Sequence, residues 1–213
     1  MSNASQRNFA IVIVCGSLLL MIGNGLRATS GLYLQPMTMA QGWTRESFSL
    51  AIAIQNIFWG LGGPVFGAIS DRWGAGRSLV TGTLLMALGC YGMAQAQTSA
   101  ELIVSAGMLI GLGFSGSGLA IVLSVFARAV DPKHRSTVFG VGTAAASVGQ
   151  FTMLPMGQAL INAYGWQEAL VWQAAVILVM IPLSMALAGK PKNTSMVGEA
   201  GGSLIQATRT AMG

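Results

Sequence analysis

Long apolar runs broken by short polar stretches set the pattern of this chain. Six runs reach the roughly 20 residues that a helix needs to cross the hydrocarbon core of a bilayer. They are Phe9–Leu34, Phe48–Ser70, Ser78–Ala96, Leu102–Phe126, Val138–Ile161 and Glu168–Ala188. The breaks run from Gln35-Pro36 to Ser47, Ser70 to Arg77, Ala96 to Glu101, Arg128 to Thr137 and Asn162 to Gln167. Such lengths, with glycines at helical spacings, suit helices rather than the strands of a barrel. The pattern predicts an all-α, polytopic bundle of six transmembrane helices over residues 1–188. Residues 189–213 are polar, with Pro191, Gly198 and Gly201-Gly202. They are expected to form a cytoplasmic linker or tail, with a short surface helix at Ser203–Met212.

The first run could pass for a signal peptide with Arg7 as its basic region. It outlasts the usual apolar core of about 7–15 residues. Val14 also precedes Cys15, where a lipoprotein cleavage site would disfavour it. A retained first membrane helix is expected.

Stepping three or four residues along each run gathers side chains onto faces. Gly16, Gly23, Arg27 and Ser30 share one face of the first helix, and Asn56, Gly60, Gly63 and Gly67 one of the second. The fourth carries Gly107, Gly111, Ser115 and Gly118. The fifth carries Gly140, Thr143, Ser147 and Gln158, with Gln150 beside them. Small residues let helices approach closely in lipid. Helices one, two, four and five are therefore expected to form the close-packed, partly wet side. Helices three and six are expected to face lipid or shield the others.

Composition agrees with a membrane setting. The 213 residues are 53% hydrophobic and only 8% charged, with 29 glycines, where a soluble domain carries about 25% charged residues. The net charge of +5 does not indicate nucleic acid, because the basic residues fall in short loops and a tail. Nine of the eleven lie on one side if the N-terminus is inside: Arg7, Arg72, Arg77, Arg128, Lys133, Arg135, Lys190, Lys192 and Arg209. Only Arg45 lies in an outer loop. Both termini are thus expected in the cytoplasm and the bundle in the inner (plasma) membrane. Trp43 and Trp166 fall near outer boundaries, where indoles favour the headgroup level. Cys15 and Cys90 lie inside apolar runs and read as small core residues.

Little here can do chemistry. The one histidine, His134, sits in a basic loop and reads as solvated. Asp71, Glu101, Asp131 and Glu168 all lie at boundaries or in loops. No catalytic residue, metal ligand or cofactor is expected. Arg27 stands apart, about 25 Å along the first helix and past the midplane. Charges at depth are costly and usually functional. Gln55 and Asn56 lie at similar depth, Gln150 near the middle of the fifth helix, and Phe114 and Ser115 near the middle of the fourth. These six residues are the candidate substrate-binding set. The alternative for Arg27 is that its long stem reaches the outer headgroups.

Between the second and third runs lies Gly67 to Arg77, GAISDRWGAGR. This stretch resembles the signature of the major facilitator superfamily: a glycine, three residues, Asp-Arg-x-Gly and a further arginine. Gly67, Asp71, Arg72, Gly74 and Arg77 match it, with Ala75-Gly76 inserted before the distal arginine. The resemblance implies the first six-helix half of a twelve-helix secondary transporter working by alternating access. It implies that Asp71 contacts a helix of the second half and latches the outward-facing state. It also implies that helices one and four line the cavity, two and five flank it, and three and six support from outside. Gly107 stands where many proton-coupled members have arginine, and the adjoining Gly-Pro pair of drug antiporters is absent from the fifth helix. Ser147-Val-Gly149-Gln150, Pro155-Met-Gly-Gln158 and Gly165-Trp166 look instead like the monocarboxylate or oxalate–formate branch. The partners then expected are a small organic anion, a coupling ion, membrane lipid, and a C-terminal six-helix half or a second copy. A six-helix half-transporter acting as a dimer and a non-transporting scaffold or sensor are the rival readings.

Overall fold

A computed structural model describes residues 3–188. The expected tail at 189–213, with Lys190, Lys192 and Arg209, lies outside the described residues. Among those described the chain is all helix. Helix α1 (Asn3–Thr29) passes through a 3-10 turn at Ser30–Tyr33 into α2 (Leu34–Gln41). Then come α3 (Arg45–Trp73) and α4 (Ala75–Gln95). The next rod consists of α5 (Ser99–Leu102), a π-helical segment at Ile103–Leu109, α6 (Ile110–Ser117) and α7 (Leu119–Ala129). A 3-10 turn at Pro132–His134 leads into α8 (Arg135–Leu178), and α9 (Met180–Ala186) follows. Among the described residues four stretches are long and apolar enough to cross a membrane: Ala10–Gln41, Arg45–Trp73, Ser99–Ala129 and Pro132–Ala186. The chain is a polytopic membrane bundle.

Helix ends follow local chemistry. Thr44 caps α3 by accepting from the Ser47 N–H. Thr98 and Glu101 form a reciprocal capping box at the start of α5. The first rod runs on to Gln41, beyond the expected stop at Leu34. Pro36 falls in the first turn of α2, where a missing N–H costs no helical bond.

The 44-residue α8 would span about 66 Å if straight, twice a bilayer core. Gly165 breaks it with φ 85 and ψ 167, a conformation open to glycine. The two limbs run in opposite directions. Along α1, Met21 meets Gly149 and Thr29 meets Gly157 of the first limb. Thr29 also receives the amide of Gln173 at 2.7 Å from the second limb, while Gly23 approaches Met180 of α9. Closest of these is the crossing at Gly149, where a methyl group would overlap the Met21 carbonyl. Trp166, just past the Gly165 turn, is 9% exposed and packs into the core of the bundle.

The third rod, α4, has two sides: Leu84, Leu88 and Tyr91 lie exposed along one, and the other packs into the bundle. Gly76, Ser78, Gly82, Thr83, Ala87, Gly89 and Ala94 all lie buried in it. Its small side chains admit the close approach of α6, so that Gly82 lies against Gly116 and Gly113 against Met86. The Ser78 hydroxyl donates to the Gly116 carbonyl at 3.1 Å. Second-helix glycines divide differently from the expected face. Gly62 meets Ser115, whereas Gly60, Gly63 and Gly67 have open space beside them, as does Gly140 of α8.

Candidate functional site

The arginine buried by sequence position is also the centre of a constellation in space. Arg27, half-buried on α1, crosses to α3. Its guanidinium carbon lies 4.6 Å from the ring centre of Trp59. One terminal nitrogen reaches the Asn56 Oδ1 at 3.4 Å. Asn56 and Trp59 are three residues apart and share a face of α3. The Asn56 amide is fixed by donating to the Ile52 carbonyl at 2.8 Å, which turns its oxygen towards Arg27. Among the described residues no carboxylate pairs with Arg27. The site is a cation held on an aromatic face, where a π-cloud stabilises it by about 0.5–2 kcal/mol. Its remaining N–H donors can grip an anion.

A cavity of about 30 Å³ lies beside Arg27, with Ser30, Tyr33, Gln55, Phe114 and Gln173 among its walls. That volume is enough for one or two waters or a small substituent. Phe114 is buried, its ring 6.4 Å from that of Trp59. The Tyr33 hydroxyl is buried without a hydrogen-bond partner.

The other candidate residues are engaged elsewhere. Gln55 is buried and donates at 2.9 Å to the Ala106 carbonyl of the π-helical segment. The Ser115 hydroxyl donates to the Trp59 carbonyl at 2.5 Å and faces Gly62. Both tie α3 to the fourth rod. Gln150 is exposed on α8 next to Gly149, level with Met21 and so about a turn and a half inward of Arg27. It does not meet Arg27. Of the six candidates the structure thus groups Arg27 with Asn56, and Gln55 and Phe114 around the adjoining cavity, while Ser115 and Gln150 lie away from it.

At the far end of α3 the turn residues take distinct positions. Gly74 has φ 94 and joins α3 to α4 in one residue. Gly76 is buried against Ala188. Asp71, Arg72 and Arg77 are exposed, with Arg72 5.4 Å from the ring centre of Trp73. Asp71 faces Arg128 of α7 at 3.7 Å. Arg128 is itself oriented by Ser124, whose hydroxyl and carbonyl accept at 2.9 and 3.2 Å. A further contact reaches the Ser70 hydroxyl at 3.4 Å.

Sequence reasoning missed Trp59 and Arg128. Trp59 could have been found by carrying the Asn56 face one turn further. Nothing in the sequence pairs Arg128 with Asp71, which lies 57 residues earlier. Among the described residues no cluster of His, Cys, Asp or Glu could hold a metal ion, and Cys15 and Cys90 are free.

The sequence pattern of the Major Facilitator Superfamily matches residues 13–209. Monocarboxylate transporter 11 of Mus musculus is 33% identical over 154 residues, which are 67% of this chain and 32% of that protein. Monocarboxylate transporter 13 of Bos taurus is 30% identical over 148 residues, 65% of this chain and 33% of that protein. The chain spans about a third of the length of these curated relatives. A solved D-xylose-proton symporter superposes with a TM-score of 0.70 at 15% identity, over 96% of this chain and 53% of that one. At that identity the likeness concerns the fold.

Proposed function

The chain belongs to the major facilitator superfamily, and from that premise we propose that it forms the first half of a secondary transporter of a small organic anion. The favoured substrate is a monocarboxylate. Transport is by alternating access, with two six-helix units rocking about a central site. The six crossings are the first rod, α3, α4, the fourth rod and the two limbs either side of Gly165. A second unit, from the same polypeptide or a second copy, covers the open Gly60, Gly63 and Gly67 face of α3. Asp71 then acts as a state-dependent latch between the units, within a motif that includes Gly67, Arg72, Gly74 and Arg77.

One observation carries the anion reading: Arg27, held by Trp59 and Asn56 without a carboxylate. An arginine at this depth costs about 2.5–3.5 kcal/mol on insertion scales. Two parallel hydrogen bonds to a substrate carboxylate offset that cost, and lysine cannot reproduce them. The names of the monocarboxylate transporters at 30–33% identity support the same class. A scaffold or sensor would not require the charge.

The deciding experiment is binding of small carboxylates to Arg27→Lys and Arg27→Gln variants of the full-length protein, with a neutral amide as control. Both variants should lose affinity for the acid and keep that for the amide. Unchanged carboxylate affinity in both would make Arg27 a headgroup anchor and remove the anion reading. Uptake by this chain alone, with a dimer seen on crosslinking, would favour the half-transporter reading. Orientation rests on the basic-residue asymmetry. Cysteines at Ala75 and Lys133, in a background lacking Cys15 and Cys90, should resist an impermeant thiol reagent in intact cells. Cysteines at Gln41 or Ser99 should react, and the reverse pattern would invert the topology.

A further inference from the structure

At the end of α3 opposite Asp71, a groove of about 550 Å³ opens between α2 and the start of α3. Gly31, Leu34, Gln35, Thr38, Trp43 and Arg45 line it. The volume falls within the range of small-molecule sites, about 300–1,000 Å³. Arg45 is the one charged side chain in the lining, and neighbouring Glu46 does not contribute. Among the described residues Arg45 has no ion-pair partner. Glu101, near the same end, already accepts from the backbone N–H groups of Gln97 and Thr98. The rim is fixed, since the Gln41 amide donates to the Ala96 carbonyl at 3.1 Å and ties the end of α2 to that of α4.

The groove begins where the surroundings of Arg27 end. Gly31 is one helical turn beyond Arg27, and Thr38 a further two turns. Arg27 is therefore roughly 15 Å or more from the outer part of the groove. The Debye length at physiological ionic strength is about 8 Å. Through water, the charge of Arg27 is screened before it reaches the mouth. Arg45 is not, and inside the groove an anion meets its guanidinium, whereas the exposed Glu46 carboxylate lies outside the lining.

We propose that this groove is an outer docking site for a small carboxylate on its way to Arg27, with Arg45 capturing the anion and the Gln35 amide and Trp43 indole N–H as further donors. The inference rests on the anion reading above. Its test is separate, because it concerns the charge at position 45 and its salt dependence and not binding at Arg27.

The experiment uses the full-length polypeptide in oriented proteoliposomes, with propionate as probe and propionamide as neutral control. Arg45→Gln should raise the KM for propionate added on the groove side about three- to tenfold at low ionic strength, with the maximal rate unchanged. In about 1 M salt, where the Debye length is near 3 Å, variant and parent should converge. Arg45→Lys should stay close to the parent, because capture needs charge and not a fork. By detailed balance, the ratio of maximal rate to KM for propionate added on the opposite side should fall by the same factor in Arg45→Gln. An unchanged KM on the groove side at low salt would overturn the proposal, as would a loss that persists in about 1 M salt. Failure of the anion reading looks different: the parent would then treat propionate and propionamide alike, and the docking site would fall with it.

Discussion

Asp71 and Arg128 face each other across the ends of α3 and α7, with Oδ1 and a guanidinium nitrogen 3.7 Å apart. Asp71 is 79% exposed and Arg128 45%. In water such a pair is worth about 0–1 kcal/mol, so it does not hold the bundle together. Its interest lies in holding Asp71 inside this unit in the observed conformation. A latch to a second unit must compete with Arg128 for the same carboxylate. Asp71→Asn in the full-length protein should slow turnover and shift accessibility of the site, with affinity changed only through the populations. Arg128→Ala should leave thermal stability within about 1 kcal/mol and shift accessibility the opposite way. Cysteine accessibility on both faces checks this. Normal turnover and accessibility in both variants would reduce the pair to a surface contact.

The backbone crossing of α1 and α8 has a different character, because nothing flexible stands between the helices. A methyl group on Gly149 meets the Met21 carbonyl and its neighbouring backbone atoms, whereas one on Gly140 meets open space. Gly149→Ala should therefore destabilise by about 1–3 kcal/mol, as overpacking does. Gly140→Ala should stay within about 0.5 kcal/mol. Thermal unfolding in one detergent compares the two. Equal effects would show that α1 and α8 can separate without cost.

These contrasts separate what is legible in the sequence from what is not. The bundle class, the short turn at Gly74 and the depth of Arg27 follow from run length, charge and glycine position. The expected stop at Leu34 falls short of the observed end of the first rod because proline reads as a stop, although in the first turn of a new helix it is neutral. Which side of α4 packs inward is hidden for another reason. Its inward and outward faces are both apolar or small, so periodicity cannot separate lipid from a neighbouring helix as solvent. Glycine stripes are ambiguous in the same way: Gly60 and Gly63 repeat like Gly107 and Gly111, yet only the latter meet a partner among the described residues.

Gln55 and Asn56, adjacent in sequence, are expected to behave oppositely. Gln55 is buried and donates to the Ala106 carbonyl between helices. Deleting such a bond inside a membrane bundle costs about 0.6–2 kcal/mol. Gln55→Leu should lower stability by that order, and any loss of carboxylate affinity should follow from it. Asn56→Ala should leave stability nearly unchanged and weaken carboxylate binding, because its oxygen steers Arg27. Unfolding and binding measured on the same preparations separate the two. A stable Gln55→Leu with lost binding would return Gln55 to the substrate's own contacts.

Trp59 offers the most direct view of Arg27. The guanidinium lies 4.6 Å from its ring centre, and the ring is 39% exposed, tilted against buried Phe114. An arginine stem is flexible, so without the ring the guanidinium explores more rotamers before meeting a ligand. Ordering it on binding then costs more. The attraction itself is about 0.5–2 kcal/mol and stronger over indole than over phenyl. Trp59→Leu should weaken carboxylate binding about three- to thirtyfold, and Trp59→Phe by less, in the order of the ring quadrupoles. A bound carboxylate also changes the electric field at the indole while the guanidinium stays on the ring. In a variant retaining only Trp59 among its tryptophans, propionate should change the indole fluorescence, while propionamide should not. The same variant with Arg27→Gln should show no response to either. A response that survives loss of Arg27, or Trp59→Leu binding as tightly as the parent, would mean that the cation–π contact does not present Arg27 to its ligand.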